Sequence, residues 1–89
     1  MTHKNRIEVK AIGESLYLFY NGKNLRVGWK MANVNTWKQE FETMQEEFPQ
    51  LNLYEEYAQI TEDTLLGVKF LTQEERTEAA KLFVEHLKP

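Results

Sequence analysis

Two aromatic and three cationic residues are spaced so that they could bind a ligand together, through ring stacking and charge–charge attraction. Tyr17 and Phe19 alternate along one segment, so on a β-strand both side chains would project from the same face. Lys10, Arg26 and Lys30 belong to the flanking segments. Exposed rings stack on unpaired bases at about 1–3 kcal/mol per base, while cations contact the phosphates. The chain could instead bind a protein, by adding a partner strand at a sheet edge or by docking an acidic helix.

Two turn signals place these side chains in a three-stranded antiparallel meander. Asn21-Gly22 favours a type I′ turn, in which both central residues need positive φ, and Gly13-Glu14 favours a type II′ turn. Pairing outward from both turns gives one apolar face and one mixed face. The apolar rows are Ala11/Leu16/Val27 and Val9/Leu18/Leu25, and the opposite rows are Lys10/Tyr17/Arg26 and Glu8/Phe19/Asn24.

The mixed face has two interpretations. A helix packed over it would make Tyr17 and Phe19 a second layer of core and leave the cations at the rim. Left open, it would be a binding surface, although Glu8 on the same face weakens the attraction for phosphates. A sequence pI near 5.4 also lies far from the basic character of most nucleic-acid-binding domains.

Catalytic residue types are scarce. The chain has no cysteine, a single aspartate (Asp63), a single serine (Ser15) and two widely separated histidines (His3 and His86). Serine is common beside tight turns, and a histidine in a last helical turn interacts well with the helix dipole. No spacing matches a zinc finger, a metalloprotease or a phosphate-binding loop. We therefore expect neither an enzyme nor a bound metal or cofactor.

Composition sets the broad class. The 89 residues are 42% hydrophobic, which predicts a single folded domain over residues 1–89. Residues 1–38 hold seven Lys/Arg and two Glu, whereas residues 39–89 hold four Lys/Arg and twelve acids. Charge separated in this way can orient a charged partner. The lack of cysteine, of a long apolar run and of a secretory start leads us to expect a cytoplasmic protein without membrane association.

The second half of the chain predicts two helices. After a loop at 31–35, Thr36 and Gln39 resemble a capping box, and Pro49 would end the helix. Its apolar stripe is Trp37, Phe41, Met44 and Phe48. A second capping box, Thr72 with Glu75, begins the last helix. The expected buried face of that helix is Ala79, Ala80, Phe83, Val84 and Leu87.

The stretch between these helices is ambiguous. Residues 51–60 alternate roughly as a strand would, although part of the stretch also suits a helical turn. A polar cluster at 61–64 followed by apolar residues at 65–71 favours a hairpin. The sequence thus predicts an α+β fold, with about five antiparallel strands and two helices in the order βββαββα.

This element order is similar to the fold of type III secretion chaperones without their first helix. Those chaperones are acidic dimers that hold effector segments, so the resemblance, which covers element order only, implies a protein partner. We expect a small non-enzymatic binding module that acts as a regulator, inhibitor or adaptor of a protein. A protein-binding module of this kind could also form a homodimer through a sheet edge or the acidic helices. Binding of RNA or single-stranded DNA through the same five residues is the alternative.

Overall fold

A computed structural model describes residues 4–89, and His3 lies outside that range. Three antiparallel strands precede three α-helices along the chain. The strands are β1 (Ile7–Ile12), β2 (Ser15–Tyr20) and β3 (Lys23–Lys30). The helices are α1 (Met31–Glu47), α2 (Leu53–Thr64) and α3 (Gln73–Glu85), with a short 3₁₀ turn at Leu65–Gly67. The fold is α+β with the order βββααα, so the predicted five strands and two helices are wrong, and so is the element order that resembled the chaperones.

The two predicted turns are confirmed. Asn21 and Gly22 have φ of 50° and 82°, as a type I′ turn requires, and Gly13 has φ of 59°. The β1/β2 register is also as predicted, with Lys10 opposite Tyr17 and Glu8 opposite Phe19. Turn chemistry and side-chain alternation are local properties of the sequence, which is why both could be predicted.

The predicted β2/β3 register is correct only near the turn. Phe19 pairs with Asn24 as expected, but Tyr17 pairs with Gly28 instead of Arg26, and Leu16 pairs with Trp29 instead of Val27. Between these pairs, β2 contributes one residue and β3 contributes three, which forms a β-bulge. Because the shift is by two residues, side chains beyond the bulge keep the same face.

Helix α1 begins earlier than predicted, because β3 continues directly into it at Met31. Its N-cap residue is Lys30, and no side chain caps the helix. An ammonium group cannot accept a hydrogen bond from the first N–H groups of a helix. The predicted Thr36 cap is wrong, since the Thr36 hydroxyl donates to the carbonyl of Ala32, 3.1 Å away, inside the helix. Residues 31–35 are therefore helix and not loop.

Helix α2 replaces the predicted strand at 51–60. Its N-cap is Asn52, whose side chain accepts a hydrogen bond from the Glu55 N–H. Leu53 and Thr61 are buried at a spacing of eight residues, which fits two turns of a helix as well as a strand alternation. The second predicted strand, 65–71, is a 3₁₀ turn followed by an irregular segment.

The last helix is confirmed in detail. Thr72 and Glu75 form the predicted capping box at the start of α3. Its predicted apolar residues are all buried: Ala79, Ala80, Phe83, Val84 and Leu87. Ala79, Phe83 and Leu87 join a core cluster with residues of the sheet, among them Leu16 and Leu18, which are completely buried.

All three helices lie on one side of the sheet. Trp29 of β3 contacts Trp37 of α1, with ring centroids 5.2 Å apart, and Phe83 of α3 at 4.9 Å. Tyr57 of α2 lies 6.5 Å from the same indole. Trp29 therefore joins the sheet to every helix. Within residues 4–89, no helix is long and apolar enough to cross a membrane.

Candidate binding surface

The face of the sheet that points away from the helices is the candidate site, and we call it the outer sheet face. Its members follow from the strand registers: Glu8, Lys10, Ile12, Tyr17, Phe19, Asn24 and Lys30. In the described part of the chain, none of them belongs to the hydrophobic core cluster. The helix layer thus buries one face of the sheet and leaves this one to solvent.

Tyr17 and Phe19 lie at the centre of the outer sheet face, on the middle strand β2. Both are half-buried, whereas Leu16 and Leu18 between them are fully buried on the other face. The neighbouring strands therefore cover only the flanks of the two rings. The predicted alternative, in which a helix makes them a second core layer, does not describe this arrangement.

The charges beside the rings are partly paired with one another. The Lys10 ammonium lies 5.0 Å from the centroid of the Phe19 ring, within the range of a cation–π contact. The Glu8 carboxylate forms ion pairs with the Lys10 Nζ at 3.7 Å and with the Arg6 Nε at 3.0 Å. One carboxylate thus lies between two cations, and the attraction of this corner for an anion is reduced.

Arg26 is exposed on the bulge of β3 and does not lie opposite Tyr17. Its backbone is in the left-handed region, with φ of 57°, and its N–H donates to the side-chain oxygen of Asn24 at 2.8 Å. Leu25 and Val27 on either side pack against the core. The bulge thereby holds two apolar side chains inward and leaves the guanidinium in solvent.

Of the five predicted residues, Lys10, Tyr17, Phe19 and Lys30 share the outer sheet face. Lys30 is exposed opposite Ser15, at the junction of β3 and α1. Sequence reasoning missed Ile12, which is 50% exposed on this face. The alternation that placed Lys10 outward also placed Ile12 there, so the signal was present.

The other end of the meander is fixed by polar contacts to α3. The side-chain amide of Asn5 donates to Glu75 at 2.8 Å, and the Asn21 amide donates to Asn5 at 3.1 Å. The Thr72 backbone N–H is the largest of several hydrogen bonds that lower the pKa of Glu75, against an opposing effect of desolvation. Desolvation, and then the nearby Glu75 carboxylate, raise the pKa of Tyr20. These contacts stabilise the sheet against the helix layer.

A shallow groove of about 670 Å³ lies between α2 and α3. The Thr77 hydroxyl there donates to Glu62 at 2.9 Å and to the Gln73 carbonyl at 2.9 Å. The contact between Thr77 and Glu62 thus joins α3 to α2, whereas the contact between Thr77 and Gln73 lies within α3. Across residues 4–89, no group of three or more His, Cys, Asp or Glu is arranged to hold a metal ion.

Comparisons of the chain with protein-family models, with curated proteins and with solved structures find no match. The function proposed below rests on the geometry and the charge of the outer sheet face.

Proposed function

We propose that this chain is a non-enzymatic protein-binding module, a regulator, inhibitor or adaptor, whose binding surface is the outer sheet face. One observation carries the proposal. The helices cover only one side of the sheet, and the central strand presents Tyr17 and Phe19 to solvent on the other side. Solvent-accessible aromatic residues, together with arginine, are the types enriched at the centres of protein interfaces.

The dimensions of the outer sheet face suit one helix of a partner. A six-residue strand such as β2 is about 20 Å long, and three strands span about 10 Å between the outer backbones. A helix with side chains is about 10–12 Å wide. A helix of about four turns would lie along β2, in contact with both rings. So small a surface is typical of transient complexes.

The charges select an acidic partner. Lys10, Arg26 and Lys30 are all exposed on the two strands that flank β2. A helix with carboxylates flanking an apolar stripe would pair with these cations at the rim while its apolar residues cover the rings. Glu8 is paired with Arg6 and Lys10, so it reduces the net positive charge of the outer sheet face. It has less effect on the area that the two aromatic rings offer to a partner. That balance favours a protein over a polyphosphate backbone.

Capture from cell extract, followed by titration of the purified partner, tests this function. The double variant Tyr17→Ala/Arg26→Ala is expected to weaken binding at least about tenfold, which corresponds to about 1.4 kcal/mol. Lys81→Ala removes one exposed cation from α3 and serves as the matched control with unchanged affinity. A partner that binds the double variant as tightly as the original chain contradicts the proposal.

Single-stranded nucleic acid is the second candidate, supported by the two rings that alternate along β2 and by the Lys10 ammonium group next to the Phe19 ring. Fluorescence anisotropy with labelled RNA and DNA oligonucleotides at two salt concentrations measures it directly. Binding that weakens steeply with salt and is lost in Tyr17→Ala/Arg26→Ala would favour this candidate. An unchanged anisotropy at low salt excludes it.

A further inference from the structure

An exposed apolar cluster lies at the turn between α1 and α2, and we call it the hairpin tip. It consists of Met44, Phe48 and Leu51, which are 42%, 43% and 40% exposed. Its backbone is held by hydrogen bonds from the Phe48 N–H to the Met44 carbonyl and from the Leu51 N–H to the Phe48 carbonyl. The Gln45 side-chain amide donates to the Phe48 carbonyl at 3.2 Å and to the Leu51 carbonyl at 2.6 Å. The cluster is thus built into an ordered turn.

The hairpin tip extends the apolar stripe of α1 beyond the hydrophobic core. Val34 and Phe41 of the same helix are buried, and Phe41 contacts Tyr57 of α2 at 4.9 Å. Near the end of α1, Met44 and the C-cap residue Phe48 are both exposed to solvent. Exposed large apolar side chains grouped in this way mark an interaction surface.

The chain segment that carries the hairpin tip is acidic. Residues 39–68 contain eight Asp and Glu and neither Lys nor Arg. Glu46 and Glu47, next to Phe48, are both exposed. A partner for this surface must therefore combine apolar or aromatic contact area with positive charge.

The chain itself carries such a surface. Residues 4–30 contain six Lys/Arg and two Glu, and the outer sheet face presents Tyr17 and Phe19 among them. The helices lie on the inner side of the sheet, so a tip formed by α1 and α2 cannot cover the outer face of its own sheet. Only another molecule can bring the two surfaces together.

We propose that the hairpin tip of one copy docks on the outer sheet face of a second copy. The inference rests on the proposed function, because it uses the outer sheet face as a binding surface for an acidic, apolar segment. Phe48 and Met44 cover the rings of Tyr17 and Phe19, while Glu46 and Glu47 approach Arg26 and Lys30. Self-association then competes with the external partner for the same face.

Complementary charge variants test this contact by sedimentation equilibrium at micromolar to millimolar concentrations. Glu46→Lys/Glu47→Lys makes the tip basic, and Arg26→Glu/Lys30→Glu makes the sheet acidic. Each variant alone places like charges in the contact, so its association is expected to weaken at least about tenfold. An equimolar mixture offers two complementary contacts, the basic tip with the acidic sheet and the unchanged acidic tip with the unchanged basic sheet, and is expected to restore association.

Two exposed apolar residues of the acidic span provide a matched control. Phe48→Ser removes the largest side chain of the hairpin tip and is expected to abolish association. Ile60→Ser changes a residue of α2 that is 57% exposed outside the tip and is expected to leave association intact. Circular dichroism checks that both variants remain folded.

A monomer at every concentration, or association that survives both charge variants, overturns the inference. The proposed function has a separate outcome. If the chain remains monomeric while Tyr17→Ala/Arg26→Ala still weakens capture of the partner, only the self-association is wrong. If that double variant does not affect the partner either, the outer sheet face is not the binding surface and both proposals are wrong.

Discussion

Gly28 of β3 lies so close to Leu16 of β2 that a side chain cannot be added there. A Cβ built on Gly28 would overlap the Leu16 carbonyl oxygen and lie 2.7 Å from the carbonyl carbon. Gly28 is also the first residue to pair regularly after the bulge, opposite Tyr17. Close backbone approach at this glycine therefore permits the bulge that exposes Arg26 and turns Leu25 and Val27 toward the core.

The first prediction concerns the close packing of Gly28 against the backbone of Leu16. Gly28→Ala is expected to destabilise the fold by about 3 kcal/mol, at the upper end of the usual cost of overpacking, because the clash is with rigid backbone. Urea unfolding followed by tryptophan fluorescence measures the change. Gly67→Ala is the matched control, since nothing lies within 4 Å of a Cβ at that position and its φ is not positive. There we expect no loss, and a gain of up to about 1 kcal/mol. Equal effects of the two substitutions would contradict this account.

A second prediction concerns the aromatic contact that joins the sheet to α3. Phe83 is buried, and its ring lies 4.9 Å from that of Trp29. Phe83→Ala is expected to cost about 3–5 kcal/mol, because it leaves a cavity in the centre of the core. Phe83→Leu keeps most of the volume and is expected to cost about 1–2 kcal/mol. Thermal and urea unfolding measure both, and a smaller loss for alanine than for leucine would show that this ring is not central to the core.

The sequence predicts structure best where the signal is local. The Asn21-Gly22 turn and the Thr72/Glu75 capping box each depend on a few adjacent residues, and both are present. The strand predicted where the structure has α2 is wrong because Leu53 and Tyr57 satisfy a period of two and a spacing of four equally well. Only tertiary packing against Phe41 and Trp37 distinguishes the two, and a sequence pattern does not contain that information.

The candidate site also combines features that local sequence patterns predict with features that depend on tertiary packing. The alternation of Tyr17 and Phe19 placed both rings on one face, but their exposure depends on where the helices pack. The predicted position of Arg26, opposite Tyr17, is wrong because the bulge breaks the register. Gly28 inside a strand pattern was the available sign, since a glycine there often marks a bulge or a close backbone approach.

A third prediction concerns the acid sensitivity of the α3 capping box. The pKa of Glu75 lies below its ordinary value of 4.5, mainly because the Thr72 backbone N–H donates to it. The stabilisation by this carboxylate is therefore complete above about pH 4.5 and is lost as the pH falls through the lowered pKa. Glu75→Gln lacks that titration, so its unfolding free energy is expected to fall less than that of the original chain below pH 4.5.

Urea titrations at stepped pH measure this difference, and subtraction of the two curves removes the contribution of the other carboxylates. Thr72→Ala is expected to cost about 1 kcal/mol at neutral pH through loss of the cap. Parallel pH curves for the original chain and Glu75→Gln would contradict the assignment to Glu75.

The last prediction separates stability from binding at Arg26. A non-glycine residue in the left-handed region costs about 1–2 kcal/mol, and glycine avoids that cost at the expense of about 0.5–1 kcal/mol of backbone entropy. Arg26→Gly is therefore expected to stabilise the fold by about 0.5–1 kcal/mol while weakening partner binding. Arg26→Ala retains the Cβ and the strain, so it should weaken binding without the gain in stability. Urea unfolding and a binding titration of the same two samples measure both effects.

A residue kept in a strained conformation at the expense of stability is typical of functional sites. Weaker binding in both variants would show that the Arg26 side chain itself contributes to the binding surface, and that its role is not only to shape the bulge. Unchanged binding in both variants would show that the guanidinium lies outside the interface.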